Sequence, residues 1–595
     1  MAVFIGRVAL AADPVSYTVN FVPSGDGALD GLLRQSSALV AVQKKLPAGP
    51  FALIGRARED ARKFAVVLHS LGYDGGSVEI TIGGDALGDP ALLDMLNALP
   101  QGRSVAVRVT AHQGAQFRLG KVETPGLPPG FVAPPMVHPG QPALAAPILA
   151  AAPALRAALR NTGYAFAEVS QPWAVARLAT HRLDVTYTIT PGPRVRIGPI
   201  SFEGLTRTNA AFLRRHIALR PGQPFSDTAL AQARDSLLGL GVFAAVTPVP
   251  AAKATAGGAV PVAFRVVPQK RHAVSLSALY ATDTGLTLGT SWEDRDVFTH
   301  AERLKFTAAG NGLAATGTRA PGYDLKAVFA KPDFAARGQM LSVSLEALNE
   351  SLTAYSRKAL LAGVTLSRPL GAHLSLTYGP QFTAERVRQQ GVNRDYALAQ
   401  LPVTLSYSTA DNLLEPTSGV NASATVTPTL PAAGAGKPFI IAQGSVAGYV
   451  PVEPAGRGVV ALRGQVGSIQ GAGVFQVPPD QRFYAGGSGT VRGYTYQTIG
   501  PLFPDDAPEG GLAMDAASLE FRQRVGKSFG VVPFIDAGQV SAGSRPFAGT
   551  LRVGAGLGLR YYTSIGPIRL DLAFPFTRVA GSAAFALYAG FGEAF

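Results

Sequence analysis

Two textures of apolar and polar positions divide the sequence near Arg271. Beyond it, apolar residues recur at every second position in segments of about ten residues, separated by polar or Gly/Pro turns. Val274, Leu276, Ala278 and Tyr280 share one face, while Ser275 and Ser277 take the other. Val553, Ala555, Leu557, Leu559 and Tyr561 alternate with Arg552, Gly554, Gly556, Gly558 and Arg560. A period of two sends these sets to opposite faces of a strand. A soluble β-sandwich has the same period, so alternation alone does not decide. Three features favour a transmembrane barrel: the segments are long, a charged face repeats over many of them, and strands in lipid must leave no edge unpaired. About sixteen segments fit the pattern, an even number as bacterial barrels require. Aromatics gather toward segment ends, as in Tyr561-Tyr562 and Phe574 to Phe576, where a membrane interface would hold them.

Before Arg271 the pattern alternates between helical and strand periods. Three helix-like segments end in a glycine followed by an aromatic or apolar residue: Phe64 to Leu71-Gly72-Tyr73, Leu155 to Thr162-Gly163-Tyr164, and Ala229 to Leu240-Gly241-Val242-Phe243. Each glycine suits the left-handed position that stops a helix. An alternating strand follows each, at Val78–Ile82, Leu183–Ile189 and Val262–Val266. The phrases Gln116-Phe117-Arg118-Leu119-Gly120 and Arg194-Val195-Arg196-Ile197-Gly198 open the next module in turn. The expected division is 1–14 as a signal-peptide remnant or disordered start, 15–115, 116–192 and 193–268 as three modules, and 269–595 as the barrel. One continuous α+β domain is the alternative for the N-terminal half. Pro147 and Pro153 stand where the second module should be helical, and one of them can open a helix.

The last segment, Phe585 to Phe595, puts Phe585, Leu587, Ala589, Phe591 and Phe595 on one expected lipid face. Glu593 shares that parity, which is costly away from the interface. Gly590 and Gly592 would loosen the packing of this strand. A weak closing seam is therefore expected between the first strand, carrying Ala273, Val274, Leu276 and Tyr280, and the last.

The stretch Arg482–Pro501, within a loop expected near 472–511, is glycine-rich yet carries Phe483, Tyr484, Tyr494 and Tyr496. A long loop with aromatics needs a surface to pack on. Its Val491-Arg492-Gly493-Tyr494 core presents one arginine, suited to a bidentate ion pair with an inward carboxylate. Glu520 and Asp536 sit on nearby alternating segments with lumen-side parity, and a lone Asp536 facing lipid would be expensive.

Composition narrows the chemistry. The formal charge is +14, yet charged residues are only 15% of the chain and glycines number 68. That combination fits extensive β structure with close backbone approach rather than a nucleic-acid binder. With 0 cysteines there is no disulfide frame and no thiolate site. The 8 histidines, among them His69, His216, His300 and His373, fall into no metal or triad pattern, and His216 reads as part of a solvated helix face. Gly487-Ser488-Gly489 lacks the spacing and the Lys-Ser/Thr of a phosphate loop. No catalytic residue, metal or cofactor is expected, so enzyme action is not.

These features resemble known families. The N-terminal modules resemble POTRA domains, β-α-α-β-β units, best in Ile197 to Gly204 and Pro221 to Phe225. The phrase AGGSGTVRGYTYQTIGP, with VVPFIDAGQV, GPIRLDLAFP and WEDRDVF, is similar to the BamA/TamA superfamily; the Tyr-Gln-x-Ile-Gly-Pro continuation and three modules resemble its TamA branch. The resemblance implies three periplasmic POTRA modules followed by a 16-stranded antiparallel transmembrane β-barrel, with the loop folded into its lumen and Arg492 meeting Glu520 and Asp536. It further implies an outer-membrane insertase or translocase. Its partners would be unfolded outer-membrane and autotransporter clients, a TamB-like inner-membrane-anchored periplasmic protein and outer-membrane lipid, with no nucleic acid. A two-partner secretion transporter, a BamA-like general assembly subunit, a passive porin and a barrel enzyme are the rivals. Asp296-Val297-Phe298-Thr299 departs from the family pattern, which has Asn and Gly there.

Overall fold

The computed structural model describes residues 15–43, 49–100, 102–134, 137–281, 285–313, 320–433, 436–453, 456–564, 566–578 and 583–595; the expected leader, 1–14, lies outside them. Two compact units result. One gathers residues up to Ile200 with Leu219–Gln232 and Val249–Ala263; the other holds Ser201–Ala218, Ala233–Pro248 and Phe264–Phe595.

The three modules differ from one another. In the first, a sheet ordered Ser16–Phe21, Ser104–His112, Ser77–Ile82, Asp85–Ala86 carries the helix Pro50–Ser70. Alternation buries Val105, Val107, Val109, Ile80 and Ile82 against Leu53, Ala57, Phe64 and Leu68 of that helix. Gly72 ends the helix at φ +81, and a Cβ there would stand 2.9 Å from the Ala143 carbonyl oxygen, so only glycine fits. Among its described residues this module has four helices where two were expected: Gly27–Ser36, Ala38–Val42, Pro50–Ser70 and Leu92–Asn97.

The second module also departs from β-α-α-β-β. Among its described residues one α-helix, Ala145–Asn161, faces a sheet ordered Arg118–Glu123, Arg182–Thr186, Trp173–Arg177. Pro147 falls in the first turn, where a missing N–H costs nothing, and Pro153 sits inside the helix. The third module follows the expected order: Arg196–Glu203, Ala210–His216, Asp227–Gly239, Phe243–Pro250, Ala259–Pro268. Asn209 caps its first helix, its Oδ1 accepting from Ala211 N–H (2.8 Å) and Phe212 N–H (3.1 Å). His216 is not on a solvated face. Its side chain is 13% exposed, with Nδ1 2.7 Å from Asp333 and Nε2 3.1 Å from the Ser236 carbonyl oxygen. Asp296, in the departing turn, takes φ +63 and accepts from Thr208 Oγ1 at 2.8 Å.

From His272 on, the strands close into an antiparallel barrel. Leu374–Tyr378 and Gln381–Gln389 are one strand interrupted at Gly379-Pro380, and Val392–Gln400 and Val403–Ser408 are one interrupted at Leu401-Pro402. Proline has no N–H for the ladder, so each run breaks and resumes. The neighbouring strands pair continuously across both breaks, which makes the barrel 16-stranded. Its outward face is apolar all round: Trp292, Phe306, Leu345, Leu462, Leu519, Ile535, Leu557 and Leu572 are each more than a third exposed. An apolar band of that extent marks a lipid-facing barrel, not the inner face of a sandwich. Among the described residues no helix is long and apolar enough to cross a membrane.

Candidate functional site in the barrel lumen

Between the strands Gly458–Gln470 and Ala513–Val525 the chain leaves the wall and folds inward. Isolated bridges Phe483 to Gly511, Ala485 to Ile499 and Leu502 to Pro508 give this loop a frame. Val491 and Tyr494 are fully buried, packed with Phe439, Ile469, Val477 and Val540. The aromatics that argue against a disordered loop thus have their surface.

Arg492 reaches the wall at the loop's centre. Its Nε and Nη2 donate to the two Asp536 oxygens at 2.7 and 2.9 Å, and its backbone N–H adds a third bond to Asp536 at 3.0 Å. Nη1 lies 2.8 Å from Glu520 Oε1 and 3.2 Å from Asp571 Oδ2. The guanidinium carbon stacks 3.5 Å from the Phe534 ring centroid. The Arg492, Glu520, Asp536 and Asp571 side chains are each at least 98% buried. Bidentate, charge-assisted pairing in such a site is both strong and directional.

The backbone around Arg492 is cleared by glycines. Gly493 adopts φ +98, and a Cβ there would sit 2.8 Å from the Phe574 carbonyl carbon. Its N–H donates to Tyr588 Oη at 3.3 Å, and Tyr494 Oη donates to the Val553 carbonyl at 3.1 Å. On the wall, a Cβ on Gly554 would collide with the Arg492 carbonyl oxygen, and one on Gly556 with the Phe534 ring. Gly554 of the strand Arg552–Thr563 thus leaves the space the loop backbone occupies, while Gly556 makes room for the Phe534 ring of the wall itself.

Sequence reasoning named Glu520 and Asp536 but missed the rest of the network. Asp571 stands in GPIRLDLAFP, an apolar alternating segment with the same isolated-carboxylate signal as Asp536. Arg522 Nε donates to Glu520 Oε2 (2.9 Å) and stands 3.9 Å from Glu593. Arg560 donates to Glu593 Oε2 (2.7 Å) and Asp571 Oδ1 (2.5 Å). Charges thus alternate around a closed ring: Arg492, Glu520, Arg522, Glu593, Arg560, Asp571 and back to Arg492. Each buried charge has opposite neighbours, the condition under which burial is tolerated.

The ring corrects the expected placement of Glu593 and Phe595. The last strand spans Ala586–Phe591, and at Gly592 (φ +84) the chain turns away from it. Glu593 then faces the lumen at 1% side-chain exposure, and its N–H donates to the Leu414 carbonyl at 2.9 Å. Phe595 does not join the lipid face or the seam. Its ring lies 4.7 Å from the Arg463 guanidinium and 5.2 Å from that of Arg522, which also donates to the Phe595 oxygen at 2.9 Å. Phe585 and Phe591 stay about half exposed on the outside.

At the closing edge, only Tyr280 to Ala589 and Ala281 to Tyr588 pair between the first strand, His272–Ala281, and the last, among the described residues. The first strand pairs with its other neighbour over its whole length, from His272 to Ala281. Ala273, Val274 and Leu276 have no partner strand across the seam, and Val274 and Leu276 are 69% and 84% exposed. Leu587 and Gly590 pair inward with Leu572 and Arg569. No metal-binding group of His, Asp or Glu is found among the described residues.

Comparison with known proteins follows the same lines. Residues 305–595 match the Omp85 superfamily domain, and residues 195–269 match the POTRA model, surface antigen variable number repeat. The chain is 23% identical over 537 residues to the outer membrane protein assembly factor BamA of Neisseria meningitidis serogroup B, covering 79% of this chain and 66% of that protein. It is 23% identical over 444 residues to BamA of Nitratidesulfovibrio vulgaris, covering 69% of this chain and 52% of that one. The chain spans just under two thirds of the first relative's length and about half of the second's. The crystal structure of BamA from Haemophilus ducreyi lacking POTRA domains 1-3 superposes with a TM-score of 0.63 at 19% identity, over 80% of this chain and 99% of that one. At that identity the likeness establishes the fold.

Proposed function

We propose that this chain, an Omp85 superfamily barrel domain behind a POTRA domain, is an outer-membrane insertase or translocase for β-barrel clients, with its modules in the periplasm. The observation that carries the proposal is the seam, where a first strand paired over its whole length on one side meets the last strand through two residue pairs. Most of its other edge, from His272 to Leu279, offers main-chain donors and acceptors to an incoming strand. Strand pairing and lipid burial supply the free energy, and no bond-making chemistry or cofactor is needed. The ring links loop and seam: Arg492 on the loop and Glu593 beyond the last strand belong to one charge circuit. A shift of either is felt by the other.

The finer reading is the TamA branch, with autotransporter clients and a TamB-like periplasmic partner. Tyr496-Gln497-Thr498-Ile499-Gly500-Pro501 supports it, with Gln497 accepting from the Ala354 N–H at 3.1 Å. The relatives named as assembly factor BamA favour the general-assembly reading instead. The test is photocrosslinking from positions 274 and 276 to a nascent client barrel. Adducts to a client's terminal strand are expected, more of them in Glu593→Gln, where the tail loses its charge. Absence of client adducts would refute the insertase reading. Adducts to one soluble passenger would indicate a secretion transporter, and adducts to many unrelated barrels would favour general assembly over the TamA branch.

A further inference from the structure

The charge ring leaves one lumen-side guanidinium out. Arg569 lies on the strand Gly566–Pro575, directly opposite Arg560 in its ladder with Arg552–Thr563. Both arginines take the lumen side of their strands, while Leu559 and Leu570 are exposed on the outer one. Like charges facing each other across a ladder repel. Arg560 is compensated, with Asp571 at 2.5 Å and Glu593 at 2.7 Å. Arg569 is not. Among the described residues it forms no ion pair, and its buried Nε and Nη1 have no hydrogen-bond acceptor. Glu593 Oε1 also lacks a hydrogen-bond donor, but that carboxylate is held by Arg560 and makes no ion pair with Arg569. A buried cationic donor without an acceptor is costly to keep, so a place where one is kept calls for a partner.

Arg569 also stands where the closing ladder of the barrel stops. On its other side it pairs with Gly590 of the last strand. The seam register runs Ala281 to Tyr588, then Tyr280 to Ala589. The next place in that register sets Leu279 opposite Gly590, and there the pairing ends. A Cβ on Gly590 would point at Arg569, 3.2 Å from its Nε, with Leu279 Cδ1 at 3.5 Å. Gly590 is not among the glycines in the left-handed region, so its backbone would accept another residue. The resident strand thus brings no side chain to the one place of the seam that faces a free guanidinium.

We propose that Arg569 is the specificity-determining residue of the seam: it takes the carboxylate of an aspartate or glutamate that an incoming strand carries opposite Leu279 when it displaces the last strand. Charge complementarity selects this occupant. The open main-chain edge at residues 272–279 accepts any strand, but the cation behind it favours one that brings an anion to the lumen side of that place. The last strand brings glycine, so the ion pair is gained only on displacement, which biases the exchange toward the client. Alternation keeps the client's flanking residues on the lipid side, where they remain apolar. The inference rests on the insertase reading of the seam and names which strands that edge prefers.

The test uses the full chain in vesicles of neutral phosphatidylcholine, with a photocrosslinker at position 276. The probes are peptides copying residues 585–592, amidated so that they carry no terminal carboxylate, with Gly590 kept or replaced as Gly590→Asp or Gly590→Asn. The aspartate peptide is expected to bind about tenfold more tightly than the asparagine one. Arg569→Gln should bring it down to the asparagine level, and Arg569→Lys should keep part of the difference; a heat-modifiability gel checks that both variants fold. In the chain itself, Gly590→Asp should hand the ion pair to the resident strand and lower adducts with every peptide about tenfold, Gly590→Asn should not, and Arg569→Gln should cancel the effect. Equal binding of the aspartate and asparagine peptides, or a difference that survives Arg569→Gln, would overturn the inference and leave the insertase reading standing. No adduct with any peptide would refute the strand-accepting edge and the inference with it.

Discussion

Arg492→Ala is the perturbation with the most defined consequence. The guanidinium serves three carboxylates, but they are not equally dependent on it. Glu520 keeps Arg522 at 2.9 Å and Asp571 keeps Arg560 at 2.5 Å. Asp536 loses both side-chain bonds and retains only the Arg492 backbone N–H at 3.0 Å. The cost is therefore that of one stranded buried carboxylate, about 3–5 kcal/mol, rather than three. The stacking on Phe534 is lost within that figure. Spread over the equilibrium between seated and unseated loop, this is about a hundredfold to a thousandfold shift or more. The barrel's own ladders do not pass through Arg492, so a heat-modifiability gel should still report a folded barrel. Limited proteolysis should now cut within the loop, and bilayer conductance should rise. Arg492→Ala with Asp536→Asn should recover part of the loss, since the stranded charge is gone. A protease-resistant loop and unchanged conductance in Arg492→Ala would refute the pairing argument.

Other outcomes follow from neighbouring features. Gly554→Ala sets a methyl against the Arg492 carbonyl, and overpacking of that kind costs about 1–3 kcal/mol. The expected result is a folded barrel with a cleavable loop, and wild-type protection would count against the clearance argument. At the turn bearing Asp333, burial pushes the carboxyl up, but the His216 and Gly338 hydrogen bonds outweigh it and hold it below its usual range. That contribution to stability is present above about pH 4 and is lost as pH falls through the lowered value. His216→Ala should therefore raise the pH of acid unfolding followed by circular dichroism, and an unchanged midpoint would remove His216 from the account.

Much of the architecture was legible in the order of residues alone. A two-residue period fixes which side of a strand each side chain takes, so the apolar band and the inward parity of Glu520 and Asp536 needed no coordinates. The third module followed for the same reason: its caps and periods are local. The first two modules did not, because extra helices and a missing one are settled by what the sheet face has to cover. Tertiary closure decided the rest. Asp571 lies 79 residues from Arg492, and only the barrel's register brings them to 3.2 Å. Glu593 and Phe595 followed strand parity on paper, but one glycine with positive φ ends the strand and delivers them to arginines on the opposite side of the wall. Parity is a property of neighbours along the chain. Charge balance in a lumen is a property of strands closed into a ring, and no local pattern encodes which partner will stand across it.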